Sequence, residues 1–445
     1  MKKVIIAVLV LLALVLLIMP GAVGVLAENQ FRALSGNLDS EAPGLRLLIE
    51  DYERGWFSSR ARYRLSLEQP VMEASLKEAL DEFPGMPALV NEAEIFHGPI
   101  LFAALGREGV SLAPVLAQSF DEISIAPGDG ELITLPARVI TRLAIAGPHS
   151  NHISVARYQH AFDQAGSPGT LTWGGMNLRT HFNAELNHVA VEGQIDSIDI
   201  SSDKFLFRAG PVTVHSQNSL TEYGLWVGDG QLTWAGMRLD TSDKAAFAMG
   251  ELVAEADSSI KAGKMHQGLQ VSLADISING WQGGPGKLVF SAEELDAKAL
   301  GQLVDLLRQL AWRDEEITSS AAVMPVVFPQ IQALLAGGPQ LAVRELSFGT
   351  PDGVLSFTGE LVFPESTPEA AFAFITGLTG NAQLRLPVAL TDSMATLNPQ
   401  AEAGLRALRN AGFLVSKGNE LVLDAAVKGG LLTVNGQPIP LPMGF

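Results

Sequence analysis

From residue 45 onward the chain repeatedly alternates apolar and polar side chains, the period of a strand with one buried face. In 57–67, Tyr63, Leu65 and Leu67 alternate with Arg62, Arg64 and Ser66. Strands are predicted at 45–51 and 57–67, with Gly55 in the turn between them. More follow at 131–146, 169–182, 189–200, 205–214, 230–239, 269–278 and 287–290, separated by glycine-rich turns. Residues 73–92 carry a helical period broken by Pro84 and Pro87. Towards the C-terminus, Leu295, Leu300, Leu303, Val304, Leu307 and Leu310 form one stripe and predict a helix over 293–311. Shorter helices are predicted at 329–336, stopped by Gly337-Gly338-Pro339, and at 402–410. Strands at 340–348 and 354–362 flank Pro351-Asp352-Gly353, and 413–423 and 431–441 close the chain, with Asn435-Gly436 as a turn.

One pattern occurs twice. Leu171-Thr172-Trp173-Gly174-Gly175-Met176-Asn177-Leu178-Arg179-Thr180 matches Leu232-Thr233-Trp234-Ala235-Gly236-Met237-Arg238-Leu239-Asp240-Thr241 at seven of ten positions, 61 residues apart. In both copies the apolar residues change parity across the small-Gly pair. A β-bulge produces such a slip, so the same bent strand is expected twice. Repeated β units that close no core alone favour a stacked or elongated architecture.

The N-terminus reads differently. Lys2 and Lys3 precede 4–27, 24 residues without a charged or polar side chain. About 20 such residues cross a bilayer. With the positive charge before the run and Glu28, Asp39 and Glu41 after it, the N-terminus is expected inside and 28–445 outside. The alternative is a cleaved signal peptide ending at Val25-Leu26-Ala27, although its apolar core is usually only about 7–15 residues long. The expected organisation is an anchor at 1–27, a linker at 28–44, a β-rich domain with the repeat at 45–290, and an α+β part at 291–445. The expected fold class is mainly antiparallel β with peripheral helices, plus one N-terminal transmembrane helix.

Composition narrows the function. Apolar residues make up 47% and charged residues 18% of the 445, as in a packed globular protein. The net charge of −18 disfavours nucleic acid, which needs a basic face. With no cysteine, disulfides, thiolate nucleophiles and thiolate metal sites are excluded.

No motif adds up to a reaction. His149 and His152, with His160 nearby, sit in a loop context and lack the carboxylate or cysteine that usually completes a zinc site. Ser58-Ser59 and Ser291 have no Gly-x-Ser-x-Gly frame and no placed histidine. His97 before Gly98-Pro99 reads as a turn residue. Asp196 with Asp199, and Asp240 with Asp243, read as solvated pairs. Gly283-Gly284-Pro285-Gly286 lacks the lysine and serine of a phosphate loop. No catalytic, cofactor or metal residue is expected. Arg54 and Trp56 are candidates for partner contact. Trp173, Met176, Trp234 and Met237 are expected first in a core, and otherwise along an apolar ligand.

Tyr52-Glu53-Arg54-Gly55-Trp56-Phe57-Ser58-Ser59, His97-Gly98-Pro99 and Leu431-Leu432-Thr433-Val434-Asn435-Gly436-Gln437-Pro438 together resemble the YdgA-like family of bacterial envelope proteins. The resemblance runs over nearly the whole chain. It implies a single-pass inner-membrane protein with a periplasmic body, and it supplies no reaction. A more distant likeness is to long β-sheet envelope proteins that shield lipid in a groove. The first expectation is therefore a non-enzymatic envelope scaffold or interaction protein. The second is a binder or conduit for lipid or another apolar ligand.

Overall fold

A computed structural model describes the chain. It leaves out residues 1–18, 22, 26–27, 30–31, 33–44, 68–87, 99, 112–113, 127–132, 146, 165–166, 243–245, 312–319, 367–376, 391–398 and 440–445. The predicted 4–27 anchor thus lies mostly outside the described residues. Among them, no helix is long and apolar enough to cross a membrane. The rest is mainly antiparallel strand, in two units: residues 1–159 with 172–196, and residues 160–171 with 197–445.

The first unit is built on β1 (Leu45–Arg54), β2 (Ser58–Leu67), β3 (Ala88–His97), β4 (Val115–Ala126), β5 (Ile133–Ala144) and β6 (His149–Val155). Each pairs antiparallel with the next. After β7 (Tyr158–Gln164) and β8 (Ser167–Trp173), which belong to a second sheet, the chain adds β9 (Met176–Phe182) on β6 and β10 (His188–Ile195) on β9. The helical period over 73–92 fails at its end, because residues 88–92 lie in β3 and are laddered to β2 and β4. Both faces carry cores. Val23, Ala61, Ala93, Ile95 and Ala117 cluster on one, and Phe96, Leu101, Ala104, Val115 and Phe120 on the other.

The second unit continues with β11 (Ile198–Ser202), β12 (Phe205–Ala209), β13 (Val212–Leu220), β14 (Trp226–Trp234), β15 (Met237–Thr241), β16 (Ala246–Met249), β17 (Leu252–Lys261), β18 (Lys264–Leu273), β19 (Ile276–Ile278), β20 (Trp281–Gly283) and β21 (Gly286–Asp296). Helices α1 (Ala297–Ala311) and α2 (Ser320–Ala336) follow. Then come β22 (Gln340–Thr350), β23 (Gly353–Val362), β24 (Thr379–Pro387), α3 (Pro399–Asn410), β25 (Val415–Lys417), β26 (Glu420–Lys428), β27 (Leu431–Val434) and β28 (Gln437–Ile439). The larger ladder runs β13–β14–β17–β18–β21–β22–β23–β24–β26–β27–β28. The smaller runs β7–β8–β11–β12–β15–β16–β19–β20. The division expected at residue 290 falls inside β21, whose ladder to β18 and β22 continues past it.

Tight turns hold the registers. Asn435-Gly436 and Asn279-Gly280 each place both residues at positive φ, as a two-residue hairpin with right-twisted strands requires. The helix predicted from 293 begins only at Ala297. Glu293 pairs with Gln340 and Leu295 with Met265, so the ladder claims these residues first. Asp296 then caps α1, its Oδ1 accepting the Ala299 N–H at 2.9 Å. Lys264 Nζ donates to the last-turn carbonyl of Gly337 after α2, at 2.6 Å. The helix expected at 329–336 starts earlier, at Ser320, with Pro325 and Pro329 inside it.

Candidate functional site

The repeat explains how the two sheets of the second unit are joined. Trp234 ends β14 in the larger ladder, and Met237 begins β15 in the smaller one. The Ala235-Gly236 pair between them is therefore a corner between sheets. The expected bulge within one ladder is replaced by a two-residue step that leaves each half its own partners. Gly236 has φ +105, and Gly175 in the other copy has φ +116. At Gly236 a Cβ would meet the Met249 and Gly250 carbonyls, so only glycine fits the approach. The same step recurs at Gly210-Pro211, Gly250-Glu251, Ala274-Asp275 and Gly284-Pro285. Adjacent corners bond to each other: Gly210 N–H donates to Gly236 O at 2.8 Å, and Gly250 N–H to Asp275 O at 2.8 Å.

Because each corner spans two residues, flanking side chains three apart keep the same face. Val212, Trp234, Leu252 and Leu273 form one row in the larger sheet. Ala209, Met237, Met249 and Ile276 form the matching row in the smaller sheet. The apolar face thus passes around the bend unbroken. Trp281 of the smaller sheet stacks on Phe348 of the larger, centroids 6.3 Å apart and planes 15° from parallel, which places both apolar faces on the inside of the bend.

That inner face is apolar over long distances. One row of the larger sheet runs from Val214 through Leu232, Ala254, Val271 and Leu288. It continues through Leu346, Phe357 and Leu384 to Leu423. The smaller sheet contributes Ile200, Phe207, Leu239, Phe247 and Ile278 in one row. The reverse face carries His215, Gln231, Glu255 and Gln270 in register.

The trough is not closed into a core. Leu232, Leu269 and Ile278 are each 37% exposed, Leu346 36% and Leu361 40%. Among the described residues its ends are sealed. Met265, Ala292, Leu295 and Ala297 are buried with Leu300 and Val304 of α1 packed on them. Leu386, Leu414 and Leu421 are buried with Leu405 of α3. Between them a groove of about 260 Å³ opens over Phe290, Leu341, Val343, Phe357 and Leu432. The Nε1 donors of Trp234 and Trp281 are shut off from solvent without an acceptor among the described residues.

A family model for a bacterial protein of unknown function, DUF945, matches residues 1–442. The chain belongs to that family. No curated protein and no solved structure matches it.

The remaining residues singled out in the sequence of this DUF945 chain fall in several places. Arg54 ends β1, and its Nη1 pairs with Glu28 Oε2 at 2.9 Å. Trp56 follows it in the turn, 57% exposed. Trp173 and Met176 flank the Gly174-Gly175 corner, both half-buried like Trp234 and Met237. His149 and His152 lie in β6, and no group of three metal-ligating side chains occurs among the described residues.

The sequence reading missed two buried polar groups in the first unit. Ser59 and His97 are 2% and 1% exposed, with Ser59 Oγ and His97 Nε2 at 2.9 Å. Burial lowers the imidazole's pKa, against the pull of the Trp56 and Pro20 carbonyls. Sealed from solvent, the pair fastens β2 to β3 and is closed to substrate. Nearby, Tyr63 Oη donates to Asp121 Oδ2 at 3.3 Å. Burial raises the Asp121 carboxyl to about 6, against hydrogen bonds from Ser119 and Tyr63.

Proposed function

We propose that this DUF945 chain is a YdgA-like envelope protein whose trough binds the apolar chains of lipids without transforming them. Residues 4–27 hold it at the bacterial inner membrane, and its body faces the periplasm. The trough carries the reading: five large aliphatic side chains on one continuous inner face are more than a third exposed. Monomers rarely leave a contiguous apolar surface of more than a few hundred Å² without a use. A bare scaffold role leaves that face without an occupant; a protein partner, the other half of the first expectation from the sequence, would supply one. The nine-strand row from Val214 to Leu423 holds no polar side chain, and polar residues of that face, Asn218, Ser258 and Gln267, stand together at one margin. A long unbroken apolar row suits an acyl chain better than a protein interface, which mixes apolar core with polar rim.

The test uses the full-length chain in a detergent-free amphipathic polymer, titrated with a fatty acid brominated along its chain. Bromine quenches nearby indoles, so tryptophan fluorescence should fall saturably. A Leu269→Asp/Leu346→Asp variant should lose at least tenfold in affinity while still melting in a cooperative transition. Equal quenching of both proteins would overturn the reading.

A further inference from the structure

Two of the three stretches that carry the family resemblance meet on a single object, the described helical residues between Met19 and Arg32. Ring carbons of Trp56 lie 3.2 Å from where a Cβ of Gly21 would stand, and the His97 ring lies 2.8 Å from that of Gly24. Pro20 Cγ lies 2.8 Å from the Cβ position of Gly98, which has φ +118. Glycine at 21, 24 and 98 therefore lets the segment sit this close. Val23 is 8% exposed, packed with Ala61, Ala93, Ile95 and Ala117. Beyond it Glu28 pairs with Arg54, and the Arg32 guanidinium lies 5.8 Å over the Tyr52 ring.

Residues 19–25 are also the end of the apolar run 4–27. Socket and bilayer therefore compete for them. With 19–25 seated, 15 residues (4–18) remain. A helix of that length reaches about 22 Å, short of the roughly 30 Å of a hydrocarbon core. We propose that the Tyr52–Ser59 turn and His97-Gly98 are a docking surface for this chain's own segment 19–25. They draw it out of the bilayer and hold the β body flush with the membrane. This rests on 4–27 entering a membrane and is independent of lipid binding in the trough.

The chain has no cysteine, so Val25→Cys gives one reactive site, at a position 42% exposed when the segment is seated. In membranes carrying the full chain, a membrane-impermeant maleimide applied from the periplasmic side should label it. Adding Gly24→Leu, which drives bulk into the His97 ring, should cut labelling at least fivefold as the segment returns to the bilayer. Benzoylphenylalanine at position 56 should cross-link to peptide 19–25. Glu28→Arg should weaken that cross-link, and Glu28→Arg/Arg54→Glu should restore it. Absent labelling, labelling indifferent to Gly24→Leu, or cross-links to lipid alone would overturn the proposal.

Discussion

Asp121 and His97 set opposite demands on pH within one unit. Asp121 is 5% exposed and raised to about 6 from an ordinary 3.8. A raised acid binds its proton more tightly when folded, so its stabilising effect is complete below about pH 4 and gone above about 6. His97 is lowered, so the unfolded chain takes up a proton first, and stability falls as pH drops below the usual histidine range. Asp121→Asn keeps an acceptor for Tyr63 and removes the buried charge. At pH 8 it should stabilise by at most about 3 kcal/mol, from roughly 2 pK units at 1.36 each, and at pH 4 by little. Melting curves at both values check this, and a gain independent of pH would sink it. None of this was legible in the sequence. Ser59 and His97 lie 38 residues apart and meet only because β2 pairs with β3. Asp121 looks like any surface aspartate until its strand has neighbours on both sides.

At the scale of elements, the corners are the most demanding feature. Gly236→Val should destabilise by about 2–4 kcal/mol, adding positive-φ strain of about 1–3 to a clash with the Gly250 carbonyl. Gly224, at φ +72 in the β13–β14 turn, has open space around its Cβ position. Gly224→Ala should cost about 1 kcal/mol. Urea midpoints of the two variants decide, and equal shifts would contradict the corner. Here the sequence was partly legible. Two copies of one parity slip announced two bent strands of like surroundings. A bulge and a corner produce the same slip, however, and differ only in where the flanking strands find partners. Local period misled in the same way at Glu293 and Leu295, where a helical stripe yields to a ladder formed with residues far along the chain.

Across the whole molecule, apolar content could not tell a core from a trough, because both are written with leucine, valine and phenylalanine at alternate positions. The distinction rests on what covers the face, and that is tertiary. It has a thermodynamic signature. Leu421 is 0% exposed, and Leu421→Ala should cost about 2–5 kcal/mol. Leu269→Ser and Leu346→Ser, over a third exposed, should each cost less, about 1–2 kcal/mol, since about a third of each side chain stays in water on folding. Denaturant curves showing all three alike would restore a packed core. The antiparallel β class and the C-terminal helices were readable from period alone.

The rows also have a length. Val214 to Leu423 crosses nine adjacent strands. At about 4.8 Å between neighbours this is about 38 Å measured along the sheet. The hydrocarbon thickness of a whole bilayer is about 30 Å. A molecule lying along the open part of that row, short of Leu384 and Leu423 where the C-terminal cluster packs, would run across the strands and meet no polar rung on the way. Sliding from one strand to the next would exchange one apolar side chain for another, with no polar partner to set a stopping place. On the lipid-binding proposal, an extended hydrocarbon would meet such a surface as a track.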